Sequence, residues 1–306
     1  MVMTGGTSGF GAIAAEHLTR SGDVRLILGA RRTTAIGDRI PAVGDRIPLD
    51  LADLASVRAF ATTVRERLGD TPVDALVLNA GVVLPDVTRR TVDGFETAFA
   101  VNHLAHHLLL RLLLPALADT ATVVLTTSGT YDPANHAGLT PPRHADAELL
   151  AHPDRDPGLD AKPRKAGEHA YTASKLCAVL TARSLSEHPG FRNGRRTVVA
   201  YDPGQVFGTG LAKQLSFPLR AAWALLGTPV VGRPLRRFNR DLNTRPDAAN
   251  TLADLAVGGV PAPAGRVLVA LRRARLSWPD PSDLARRDEV AQALWNDSGR
   301  LVGLSP

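Results

Sequence analysis

Short apolar runs recur along this chain, and each is followed by a longer stretch in which apolar residues return every three or four positions. That alternation of strand-like and helix-like periods is the pattern of repeated βα units, in which each strand is buried on both faces. Strands are predicted at Val24–Leu28, Arg46–Leu49, Ala75–Leu78, Thr122–Thr126, Thr197–Tyr201 and Arg266–Ala270, with a fragment at Val2–Met3. Helices are predicted at Gly11–Arg20, Leu54–Leu68, Val92–Leu117, His169–Glu187, Pro246–Ala256 and Asp283–Val302. The expectation is an α/β fold with a seven-stranded, mostly parallel sheet and helices on both faces.

Two stretches break the rhythm. Residues 132–168 hold six prolines and many charges and are predicted to be a long excursion over the surface. Residues 212–243 mix Phe217, Leu219, Trp223, Leu225, Leu226 and Phe238 with arginines, and are predicted to be a substrate lid. Competing readings place 217–238 on a membrane surface or against a second subunit, so monomer and homo-oligomer both stay open. Only Met1 to Met3 precede Thr4, which is short for a central strand; either the native start lies upstream or the first strand frays.

A chain of 306 residues with 44% hydrophobic content can bury one large core, so residues 1–306 are read as a single domain. Cys177 has no intrachain partner, no leader pattern opens the chain, and no apolar stretch reaches a membrane span. A cytoplasmic site is the expectation. The net charge is +6, but its 32 Arg and 4 Lys are scattered among acids, with no basic stripe and interleaved aromatics. No nucleic-acid partner is read from it. His103, His106 and His107 have helical spacing without an accompanying acid and are read as core or surface histidines, with no metal; Cys177 is read as packing.

Thr4-Gly5-Gly6-Thr7-Ser8-Gly9-Phe10-Gly11 joins the first apolar residues to a helix. Glycines at 5, 9 and 11 permit a tight turn, close approach of backbone to a pyrophosphate and close helix packing, with the helix N-terminus supplying partial positive charge. Further along, Tyr171 and Lys175 lie four residues apart at a predicted helix start, which puts a phenol and an ammonium on one face.

The spacing of the glycine turn resembles that of the short-chain dehydrogenase/reductase family, and the resemblance runs along most of the chain. It implies a Rossmann fold binding a nicotinamide dinucleotide. By the same resemblance Gly5, Thr7, Ser8, Gly9, Phe10 and Gly11 form the phosphate turn, Asp50 and Leu51 meet the adenine, and Asn79-Ala80-Gly81 lines the cofactor. Arg31 and Arg32 stand where an NAD enzyme carries an acid for the ribose 2′-hydroxyl; arginine suits a 2′-phosphate, so the expected cofactor is NADP(H). Pro203, Gly204 and Val206 match the element that caps the nicotinamide, and Thr209 takes the role the family often gives to the position of Gly208.

Asn102, Ser128, Tyr171 and Lys175 match the family's catalytic tetrad in order. The resemblance implies that Ser128 binds the substrate oxygen, Tyr171 exchanges the proton, and Lys175 holds the nicotinamide ribose while lowering the tyrosine pKa, with Tyr171 and Lys175 both counted among the cofactor-binding residues. Asn102 would anchor a relay water. Tyr171–Thr181, the long gap from Ser128 to Tyr171, and Leu294–Leu304 resemble the branch of retinol dehydrogenases and light-dependent protochlorophyllide reductases. The leading expectation is an NADPH-dependent reductase, or reverse dehydrogenase, acting on a carbonyl or alcohol of a bulky apolar small molecule such as a secondary metabolite. Reduction of a conjugated C=C or C=N bond is the alternative. A non-catalytic NADP(H) sensor or scaffold is the alternative of another class.

Overall fold

The computed structural model describes residues 1–20, 22–31, 44–207 and 241–305. Strands β1 (Val2–Thr4), β2 (Ile27–Ala30), β3 (Asp45–Pro48), β4 (Val73–Leu78), β5 (Leu117–Thr126), β6 (Thr197–Asp202), β9 (Leu268–Arg272) and β10 (Arg275–Ser277) make an eight-stranded sheet. Its order is β3-β2-β1-β4-β5-β6-β9-β10, parallel except for β10. Strands β7 (Gln205–Val206) and β8 (Leu242–Asn243) pair separately.

Successive residues of a strand face opposite sides, and the sorting of apolar side chains follows. Val2, Leu76, Leu78, Val123 and Leu125 enter one core cluster, while Met3, Ala75, Val77 and Val124 enter the other. Helices α2 (Leu54–Leu68), α4 (Ala105–Leu113), α6 (Pro163–Ser186) and α8 (Asp288–Leu301) cover the first face. Helices α1 (Gly9–Thr19) and α7 (Arg245–Ala256) cover the second.

Five expectations need correction. The sheet has eight strands in place of seven because β10 folds back antiparallel on β9 through Arg273 and Ala274, both at positive φ (51° and 58°). That is the twist-matched hairpin conformation, reached here without the glycine that normally announces it, and all three β10 residues are exposed. Strand β1 does not fray: its three residues are buried and pair with β2 on one side and β4 on the other.

The 132–168 stretch is not surface decoration. Within it α5 (Ala147–Ala151) buries Ala147, Leu150 and Ala151 in the larger core, and Ala151 O accepts from Glu96 N at 2.9 Å. Helix α6 already begins at Pro163, whose ring is suited to a first helical turn, so Tyr171 sits in the helix interior and not at its start. Of the predicted lid, residues 212–240 lie outside the described residues.

The predicted helix Val92–Leu117 starts only at α3 (Thr97–Phe99) and passes through a π-helical turn, Ala100–Leu104, before α4. Glu96 caps it, accepting from Ala98 N (2.9 Å) and Phe99 N (2.7 Å) while fully buried. Burial raises its pKa to about 7, against the lowering effect of those two N–H groups. A carboxyl whose folded pKa is raised contributes stability that is full below its unfolded value and lost as pH rises through the folded one. Melting temperatures should therefore fall between about pH 4.5 and 7, and Glu96→Gln should flatten that slope. Parallel pH profiles for the two proteins would refute this.

Among the described residues no helix is long and apolar enough to cross a membrane.

Candidate active site

Strand order reverses direction between β1 and β4, and the loops after those two strands meet there. Thr4 Oγ1 accepts from Asn79 N (3.0 Å) and Ala80 N (3.1 Å), and Asn79 Nδ2 donates to Gly5 O (3.3 Å). Thr126 Oγ1, at the end of β5, donates to Asn79 Oδ1 (3.0 Å). Three successive strand ends are thus joined by hydrogen bonds at one crevice.

The packing explains two of the turn's glycines. A Cβ on Gly11 would lie 2.2 Å from Gly5 O and 2.6 Å from Asn79 Nδ2, and one on Gly5 would lie 2.7 Å from Ala80 N. Gly5 also has φ +70°. Gly11→Ala must push the turn apart, at a cost of about 1 to 3 kcal/mol. A lower melting temperature together with at least several-fold weaker NADPH binding, read by fluorescence titration, is the expected result. Unchanged affinity would detach the turn from the cofactor.

Around the turn, Ser8 is exposed and its side chain makes no capping bond, so the first N–H groups of α1 carry no side-chain cap. Thr7 is half-buried. Phe10 and Leu51 both turn inward, Phe10 into the smaller core and Leu51 into the larger. The Asp50 carboxylate accepts from Ala52 N (3.0 Å) at the entry to α2, and Arg31 is exposed directly after β2. Arg32 and Thr209 lie outside the described residues.

Tyr171, Lys175 and Ser128 come together at the end of β5. The Ser128 hydroxyl, which accepts from Thr130 Oγ1 (3.1 Å), is near enough to the Tyr171 phenol to lower its pKa, and Lys175 Nζ lies 5.8 Å from the Tyr171 ring centre while donating to Thr126 O (3.0 Å). Asn102 is close by: the open side of Gly81 faces Asn102 Oδ1 and Lys175 Nζ together. The Asn102 amide is engaged, with Oδ1 accepting from Val82 N (2.8 Å) and Nδ2 donating to Val82 O (3.0 Å) and to Ser174 Oγ (3.0 Å). Its side chain therefore ties the 81–82 loop to α6.

Burial pushes Tyr171 up to about 12; Ser128 lowers it and nearby Asp202 raises it. Burial pulls Lys175 down to about 8, against the pull of Asp202. The lowering of Tyr171 by Lys175 that the resemblance implies is therefore not what the folded chain itself produces, because desolvation of the phenolate outweighs an ammonium that is 5.8 Å from the ring. At neutral pH Tyr171 is a phenol and Lys175 is mostly cationic.

Sequence reasoning missed the charged group beneath. Asp202, the last residue of β6, is buried and pairs with Arg272 (2.6 Å), which also pairs with Asp241 (2.7 Å). The Asp202 Oδ1 accepts from Gly204 N (2.9 Å), bending the chain after Pro203, where Gly204 has φ +70°. Val206 is buried in β7, and Asn243 Nδ2 donates to Pro203 O (2.9 Å) and Leu271 O (2.8 Å). The only signal was an acid before Pro-Gly; its cation lies seventy residues away. The three histidines are buried and take different partners. His103 shares a hydrogen bond with Ser298 (2.7 Å), His107 meets the Trp295 ring edge to face at 4.9 Å, and His106 reaches Thr4. Cys177 is buried.

Comparison with known proteins agrees with this architecture. The family model for short chain dehydrogenase matches residues 1–136. Retinol dehydrogenase 13 of Homo sapiens is 30% identical over 99% of this chain and 84% of its own length. Protochlorophyllide reductase A of Oryza sativa subsp. japonica, a chloroplastic protein, is 29% identical over 99% of this chain and 80% of its own. Among solved structures, an uncharacterized protein from Mycobacterium Paratuberculosis superposes with a TM-score of 0.67 at 26% identity, over 99% of this chain and 93% of that one. The chain belongs to the short-chain dehydrogenase/reductase family of oxidoreductases, near the protochlorophyllide reductase and retinol dehydrogenase branch.

Proposed function

We propose that this protein is an NADPH-dependent reductase, working in reverse as a dehydrogenase, on a carbonyl or alcohol of a bulky apolar small molecule. The observation that carries the reading is the gathering of Tyr171, Ser128 and Lys175, with Lys175 Nζ 5.8 Å from the Tyr171 ring centre, at the strand ends where the glycine turn also lies.

A nicotinamide dinucleotide fits the residues present. The uncapped start of α1, the turn held close to Asn79 and Ala80 by missing side chains, and the open side of Gly81 next to Lys175 form a cradle that side chains would fill. The turn would take the pyrophosphate, Asp50 and Arg31 the adenosine half, and Lys175 with Tyr171 the nicotinamide half. When bound, NADPH supplies the hydride.

The chain's own groups supply the rest. Ser128 and Tyr171 present two hydroxyls to one substrate oxygen and fix its position. Because Tyr171 is protonated at neutral pH, it gives its phenolic proton to that oxygen as negative charge develops there, which suits the reductive direction. Lys175 then stabilises the phenolate left on Tyr171. Asn102 keeps the Gly81–Val82 loop pressed toward α6. The preference for a bulky, hydrocarbon-rich substrate draws on relatives named for retinol and protochlorophyllide.

The test is a screen of the purified chain with NADPH against ketones, enones and imines, following loss of NADPH absorbance. Turnover of apolar ketones is expected. Turnover of enones or imines alone would replace the carbonyl reading, and NADPH binding without turnover of any member would favour a sensor.

A further inference from the structure

His106 is buried in α4, one turn beyond Asn102, and the catalytic scheme above makes no use of it. Its Nδ1 lies 3.1 Å from the main-chain oxygen of Asn102, and its Nε2 lies 2.9 Å from Thr4 Oγ1. A carbonyl oxygen can only accept, so Nδ1 carries the ring proton. Burial holds the ring neutral, with its pKa near 4 and Lys175 lowering it further, so Nε2 is an acceptor. The Thr4 hydroxyl must then donate to Nε2, leaving its oxygen to accept from Asn79 N and Ala80 N (3.0 and 3.1 Å). Every bond in this chain has one permitted direction. It runs from the residue opening the glycine turn, through one imidazole, to the backbone of Asn102.

We propose that His106 is a positioning residue: as an Nδ1-protonated imidazole it locks the backbone of Asn102 to Thr4, and through Thr4 to the Asn79–Ala80 loop, so that tetrad and cofactor turn keep one mutual geometry. This rests on reading the site as that of a hydride-transferring enzyme. The placement matters because Asn102 occupies a π-helical turn, where the regular hydrogen-bond ladder is interrupted and the backbone depends more on side-chain partners. An aliphatic or phenyl side chain could fill the space but could not join an acceptor to a donor.

Three measurements test the proposal. Nitrogen-15 NMR of the imidazole in the native chain should show the neutral, Nδ1-protonated tautomer at neutral pH. His106→Phe, which keeps the ring's bulk, should fold, bind NADPH with a Kd within about threefold of native, and lose roughly tenfold to a hundredfold in kcat, the scale expected for misplacement of reacting groups. His106→Asn, which keeps a donor near the Nδ1 position, should recover part of that loss; a role in packing alone would predict no recovery, since Asn leaves more empty volume than Phe. An Nε2-protonated ring in the native chain, native kcat in folded His106→Phe, or a folded His106→Asn no more active than His106→Phe, would overturn the positioning role. Failure of the native chain to bind NADPH would overturn the enzymatic reading instead, and that failure is recognisable without any His106 variant.

Discussion

Tyr171→Phe is expected to lower turnover by roughly 10² to 10⁴-fold, the usual contribution of a positioned proton donor, while NADPH affinity stays close to native. The Tyr171 ring, carried on α6, is buried, and phenylalanine keeps that volume, so the fold and the cradle should survive. What disappears is the hydroxyl that meets Ser128 and carries the proton. The loss should appear in kcat and kcat/KM alike, because the removed interaction is made as charge develops on the substrate oxygen. Near-native turnover by this variant, measured in single-turnover reactions to exclude a masking product-release step, would remove Tyr171 from the chemistry.

Arg31→Asp is the second large effect. Arg31 is exposed immediately after β2, beside the crevice where an adenosine ribose would lie, and a guanidinium there can hold a 2′-phosphate through charge-assisted bonds worth about 1.5 to 3 kcal/mol. The native chain should therefore bind NADPH roughly tenfold to a hundredfold more tightly than NADH, from the same free energy. An aspartate repels the phosphate and can accept from a ribose hydroxyl, so the preference should invert. Calorimetry that finds equal affinities for the two cofactors in the native chain would refute the assignment, and the inversion would then have nothing to act on.

Much of this arrangement could be read from the sequence because the signals are local. Val123, Val124 and Leu125 form an apolar run since a parallel central strand is buried on both faces, and Leu54–Leu68 is bounded as predicted because Asp53 caps one end and Gly69 closes the other. The Tyr171 and Lys175 pair needed only helical spacing. The features that escaped depend on partners distant in sequence or on backbone states with weak composition cues. Asp202 and Arg272 belong to different strands, and the α5 insertion packs into the core through only a few apolar residues. The β10 hairpin turns without glycine, its Ala274 N–H satisfied by Asn243 Oδ1 at 2.9 Å. Helical spacing grouped the histidines near Asn102, yet His106 acquires meaning only once β1 lies against α4.

The pairing of β7 with β8 gives the chain a narrow neck. Gln205–Val206 leaves the strand ends and Leu242–Asn243 returns alongside it, two residues against two. Asn243 fastens the return to Pro203 and Leu271, and Arg272 clasps Asp202 on one side and Asp241 on the other. Among the described residues these bonds join the two ends of the neck to each other and to the last strands of the sheet. One guanidinium thus serves the neck and the candidate site at once, since the Asp202 it clasps is the carboxylate that Tyr171 and Lys175 both feel.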